Sequence, residues 1–219
     1  MDKLRLLFSK TGRAVYISHL DLMRTLTRAF LRAGCRLKYS EGFNPHPNIS
    51  IALPLSVGTQ SLCEIMDFRI LEDMSCGEIL ERLAVQLPEG IEAVAVYEPE
   101  RKVKELRWLK IEGVFEYDDR NCGEMAAELN EFYAQESIVI QKKTKRGTGD
   151  SDIKTAIKEI SFADCNDDVK VSGVISAQEP TLNPELIAEA LRQLRPDIAP
   201  DFAKFTRIEV FDENMSVFR

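Results

Sequence analysis

Ser18-His19-Leu20-Asp21-Leu22-Met23-Arg24-Thr25-Leu26-Thr27-Arg28-Ala29-Phe30-Leu31-Arg32-Ala33-Gly34 reads as one amphipathic helix with both ends marked. At a period of 3.6 residues, Leu22, Met23, Leu26, Ala29, Phe30 and Ala33 share one face and Arg24, Arg28 and Arg32 lie opposite, one turn apart. Ser18 is placed to accept a bond from an otherwise orphaned N–H of the first turn, and Asp21 three residues on approximates a capping box. Gly34 supplies the left-handed stop.

Working outward, residues 4–8 and the stretch around Val15 are strand-like about a Thr11-Gly12 turn. After the helix, Pro45 and Pro47 remove backbone donors from residues 37–47, which therefore form an exposed loop or edge. Strands are expected over 49–57 and 64–71, a helix over 75–87 broken by Pro88-Glu89-Gly90, and a strand over 91–97. That order is βαββαβ, the split βαβ or ferredoxin-like arrangement. Charge is dense from 98 to 106, and a second cycle follows: strand 108–117, helix 124–134, strands 138–140, 152–162 and 169–177, helix 183–194, strand 205–211. The reading is α+β, with tandem ferredoxin-like domains over 1–98 and 107–219 built on antiparallel sheets.

Composition narrows the class. With 44% hydrophobic and 30% charged residues the chain is globular, and its longest apolar runs fall far short of the roughly 20 residues of a bilayer span. The first ten residues mix charge with apolar side chains and read as a strand rather than a signal peptide. Five scattered cysteines without metal-ligand spacing are expected to be reduced thiols in the cytoplasm, and with two histidines neither a metal site nor a cofactor is expected. The net charge of -7 argues against indiscriminate coating of nucleic acid, yet residues 1–48 carry nine bases against three acids.

Tyr16-Ile17-Ser18-His19-Leu20-Asp21-Leu22-Met23-Arg24, with Arg28-Ala29, then Tyr39-Ser40-Glu41-Gly42-Phe43-Asn44-Pro45-His46-Pro47 and Ser50-Ile51-Ala52-Leu53-Pro54-Leu55-Ser56-Val57-Gly58, resembles the radical-SAM-linked protein family. The resemblance spans about residues 3–70, with echoes at Asp152-Ile153-Lys154 and Arg195-Pro196-Asp197. It implies a protein of unknown function, free-standing or joined to a radical S-adenosylmethionine enzyme, often encoded beside RNA-processing and ribosomal genes. The chain lacks the CxxxCxxC motif of the radical enzymes, so any such enzyme would be a partner in trans.

The candidate RNA contacts follow from residue chemistry. Arg24, Arg28 and Arg32 are spaced to meet successive phosphates, or they are a solvated helix face. Tyr39, Phe43, Asn44 and His46 place ring faces and an amide in one stiffened loop, suited to unstacked bases. Lys142, Lys143, Lys145 and Arg146 form a basic finger within the acidic part of the chain, or a plain solvated loop. His19 and His46 are the candidate catalytic groups; the core reading of His19 is favoured over the catalytic one, and His46 also suits a rigid turn. The loop 39–47 is expected beside the N-terminal end of the helix, bringing His46, Asn44 and Ser18 to one anion-binding cleft. The expected function is an RNA-binding accessory protein that presents RNA to a modifying or processing partner. Alternatives are a metal-independent endoribonuclease using His19 or His46, and a protein–protein adaptor.

Overall fold

The computed structural model describes residues 3–144 and 147–219, and the chain divides into two compact units, Met1–Lys104 with Arg219, and Glu105–Phe218. Both are mixed α and β, with helices against antiparallel strands. No helix among the described residues is long and apolar enough to cross a membrane.

The first unit runs β1 (Leu4–Lys10), α1 (His19–Arg32), β2 (Ile49–Ile51), β3 (Gln60–Phe68), α2 (Cys76–Ala84) and β4 (Ile91–Tyr97). β1 pairs antiparallel with β3, Leu4 opposite Phe68 and Lys10 opposite Ser61, and on its other side with β4. β2 adds to the far edge of β3, giving the order β4-β1-β3-β2. Alternation along β1 sends Leu4, Leu6 and Phe8 to the helices, where they join Leu26, Phe30 and Ile79. Phe30 meets Phe68 edge to face at 4.7 Å. The expected strand over 49–57 is corrected to three residues: one further bond, Ala52 N to Ile65 O at 2.9 Å, follows Ile51, and Pro54 has no N–H to extend the pairing.

Charge is also buried in these strands: Arg5 and Asp67 lie on the opposite alternation, and Lys10 follows a register shift after Phe8. Arg5 is fully buried, and its Nε donates to Asp67 Oδ1 at 2.7 Å, with Lys3 Nζ on the other carboxylate oxygen at 2.5 Å. Lys10, also buried, donates to the carbonyls of Val15 and Ile17 at 3.1 and 3.3 Å and so fixes the short 3-10 turn that leads into α1. Burial lowers the Lys10 pKa, and the Glu64 carboxylate partly restores it.

The second unit runs β5 (Leu106–Glu116), α3 (Cys122–Tyr133), β6 (Val139–Thr144), β7 (Gly147–Asp152), β8 (Ile157–Cys165), β9 (Asp168–Ser176), α4 (Glu185–Leu194) and β10 (Phe202–Asp212). Its strand order is β10-β5-β9-β8, every pair antiparallel, while β6 and β7 form a separate hairpin. Phe115, Phe162, Phe205 and Tyr133 cluster in the core, and Tyr133 Oη donates to Ile187 O at 2.6 Å. At Gly113 a Cβ would lie 2.7 Å from the Lys204 carbonyl oxygen, so strand β10 can approach β5 only where β5 has no side chain.

The expected strand over 152–162 is corrected to two. Asp152 ends β7 because its carboxylate accepts from Ile138 N and Lys154 N, each at 2.9 Å, and from Ser137 Oγ at 2.8 Å, and these bonds hold a 3-10 turn before β8. The expected short strand over 138–140 continues to Thr144 because β7 gives it a partner.

Candidate nucleic-acid interface

The arginine helix forms as its period dictates. Ser18 Oγ accepts from Asp21 N at 3.2 Å, Gly34 takes a φ of +73°, and Leu22, Leu26, Phe30 and Ala33 are buried while Arg24, Arg28 and Arg32 are exposed. The three guanidinium groups nevertheless have different fates. Arg24 donates to Asp21 at 3.1 Å, and Arg32 donates to the carbonyl of Gln86 at 2.7 Å and to its side chain at 3.2 Å. Beyond the helix, Arg36 is held by Glu72, whose carboxyl it keeps below the usual range. Arg28 has no acidic partner among the described residues.

Register decides where the proline loop sits. Ile49 lies opposite Phe68 at the Leu4 end of β1, whereas α1 begins at the Lys10 end, six residues or about 20 Å away at 3.3 Å per residue. The loop is a small hairpin at the far end: Lys38 N donates to Arg69 O at 2.8 Å, Asn48 N to Lys38 O at 2.7 Å, and Ser40 N to His46 O at 2.9 Å. The expected cleft of His46, Asn44 and Ser18 is therefore corrected: the loop stands by the C-terminal half of α1, and Ser18 is on the other side of the unit. The helix start is also filled already, since Ser18 Oγ donates to Asp21 Oδ2 at 2.8 Å and, with Arg24, holds that carboxyl below its usual range.

Within the hairpin, Ser40 Oγ accepts from His46 N at 3.1 Å and lies within hydrogen-bond distance of the ring Nδ1, at 2.9 Å. Both histidine and serine stiffen the turn. Phe43 projects from the tip with its ring wholly exposed, and Asn44 is exposed beside it. His19 is half-buried at the first position of α1, so a core position does not describe it. The two candidate catalytic histidines do not converge.

At the base of the hairpin is a groove of about 320 Å³. Cys35 and Leu37 are buried beneath it, the exposed Leu31, Leu71 and Tyr39 surround it, and Arg28 stands at its margin. Burial pushes the Cys35 thiol pKa up, which keeps that group neutral. This groove was not foreseen from sequence. A signal was available in Leu31, an apolar residue on the arginine side of α1.

In the second unit, Lys142 lies in β6 opposite Gly149, while Lys145, Arg146 and the side chain of Lys143 lie outside the described residues. A polar cleft of about 590 Å³ opens at the start of α3, lined by Asp118, Asp119, Asp164 and Asp167 together with Arg120. Its arginine is committed: Arg120 donates to Asp201 at 2.8 Å and to Asp197 O at 3.1 Å, with Tyr117 under the guanidinium at 4.6 Å. No group of three or more His, Cys, Asp or Glu placed to hold a metal ion occurs among the described residues.

A family model described as an uncharacterized protein conserved in bacteria (DUF2344) matches residues 3–184. The chain belongs to this family. No curated protein matches it. Among solved structures, a chain of the Cbf5-Nop10-Gar1 complex is similar with a TM-score of 0.54 at 11% identity, over 96% of this chain and 50% of that one. The present chain thus spans about half of that chain's length, and at this identity the likeness concerns the fold alone. An unknown protein from Galdieria sulphuraria (TM-score 0.28, 8% identity, 93% and 95% covered) and a putative glycine cleavage system transcriptional repressor (0.23, 10%, 94% and 97%) are too distant to bear on it.

Proposed function

We propose that this DUF2344 protein is a cytoplasmic RNA-binding accessory protein that presents single-stranded RNA to a modifying or processing enzyme. The partner class comes from the sequence resemblance: a radical S-adenosylmethionine enzyme acting in trans. The observation that carries the RNA reading is the grouping at the C-terminal half of α1. A hairpin with a bare aromatic tip, a groove walled by Tyr39 and two leucines, and an arginine with no acidic partner among the described residues stand together. Aromatic faces beside uncommitted cations suit unstacked bases and their phosphates. We further read both units as ferredoxin-like, since β4-β1-β3-β2 and β10-β5-β9-β8 place last, first, third and second strands in the same sequence, the second unit carrying β6 and β7 as an insertion.

The test is fluorescence anisotropy of a mixed single-stranded RNA pool at about 50 and 200 mM salt, where phosphate contact weakens affinity as salt rises. Arg28→Ala and Phe43→Ala should each weaken binding. Absence of binding at the lower salt overturns the proposal, and retention of a protein partner from nuclease-treated lysate by protein that binds no RNA would establish the adaptor alternative.

A further inference from the structure

The groove beside α1 is too small and too apolar to serve as a track for a strand's backbone. We propose that it is a base pocket, receiving one unstacked nucleobase of the bound RNA against Tyr39 and the leucine walls while the adjoining phosphate meets Arg28. The inference rests on the RNA-binding reading and adds to it a place and a mode of recognition.

Three observations carry it. The first is size: about 320 Å³ lies at the lower end of the roughly 300–1,000 Å³ range of small-molecule sites, enough for one planar group. The second is the scarcity of directed polar groups. The Thr27 hydroxyl donates to Met23 O at 2.8 Å, and the Cys35 thiol, buried and neutral, faces Ala33 O at 3.8 Å and Met74 Sδ at 4.0 Å. Little is left to read a base edge, whereas Leu31, Leu71 and Tyr39 keep 70%, 59% and 48% of their surface exposed and can cover a base face. The pocket therefore tolerates any base. The third is charge: Glu72 occupies Arg36, and Arg28, with no acidic partner among the described residues, lines the groove with a positive charge matched to one phosphate.

The experiment compares the full chain's affinity for an unmodified single-stranded RNA octamer with that for an octamer of the same phosphates lacking its bases, in the wild type and in the groove-filling variant Leu71→Trp. Leu31→Trp is the second variant in case the first is unstable, and each is used only if its melting temperature stays within about 2 °C of wild type. The wild type should prefer the base-bearing strand by about tenfold, filling the groove should cut that preference to about threefold or less, the remainder being stacking on Phe43, and the slope of affinity against salt should stay the same. Arg28→Ala should instead lower that slope by about one unit. Equal wild-type affinity for both octamers overturns the base pocket and leaves RNA binding standing, and so does a base preference that filling leaves unchanged. If neither octamer binds, the RNA reading falls as well. Loss of a protein partner from the filled variant with RNA binding unchanged would assign the groove to protein and overturn the proposal.

Discussion

The groove of the first unit and the acidic cleft of the second each hold an arginine at the margin, and the two arginines are used in opposite ways. Arg120 in the cleft is consumed by Asp201, by a main-chain carbonyl and by the face of Tyr117. Arg28 at the groove has no acidic partner among the described residues, and its neighbours along α1 are taken by Asp21 and by the Gln86 carbonyl. Exposed basic residues are thus a poor guide to ligand binding until their partners are known. The cleft's carboxylates repel an anion, whereas the groove offers one charge beside an apolar surface.

The strongest form of the committed class is Arg5, and it gives the largest expected effect. Arg5 and Asp67 are 0% and 4% exposed, so Asp67→Ala leaves a charge buried without its carboxylate and should cost about 3–5 kcal/mol in denaturant unfolding. A loss below about 1 kcal/mol would show that this pair is replaceable and blur the distinction. The next effect belongs to the uncommitted class. Arg28→Glu should weaken RNA affinity by about tenfold at low salt while stability changes by less than about 0.5 kcal/mol, because the exposed side chain holds nothing in place. A loss of stability with no change in affinity would move Arg28 to the structural class.

The division between legible and hidden features follows chain separation. The apolar face of α1, its Ser18 cap and its Gly34 stop are local, set within a few residues, and could be read directly. Mixed α and β elements and antiparallel pairing likewise followed from period and turn chemistry. The partners of Arg32 and Arg36 are 54 and 36 residues away, so the sequence showed bases without showing which were occupied. The loop 39–47 was legible as exposed, from Pro45 and Pro47, but its end of the helix depends on Ile49 pairing with Phe68. A groove assembled from Leu31, Leu37 and Leu71 likewise needed that register, although Leu31 was already out of place among arginines.

The smallest expected effect isolates the cleft from the groove by pH. Asp201 accepts from Asp118 N at 3.0 Å and from Arg120 at 2.8 Å, and these bonds, the main-chain one first, hold its carboxyl below the ordinary value of 3.8. A carboxyl with a lowered folded-state pKa binds its proton less tightly folded than unfolded. Its stabilising contribution is therefore complete above the ordinary value and disappears as the pH falls through the lowered one. In Asp201→Asn the side-chain amide still accepts one bond through its oxygen but carries no charge, so the variant should be less stable than wild type near neutrality and the two should converge below about pH 4. Because the ion pair is partly open to water, the difference should be modest. RNA affinity near neutrality should be the same in both proteins, since this carboxylate belongs to the unit that does not carry the groove. A stability gap that persists unchanged into acid would mean that the Asp201 charge contributes nothing. An RNA affinity that follows the substitution would mean that cleft and groove act on the same ligand, and the contrast between the two arginines would then have to be abandoned.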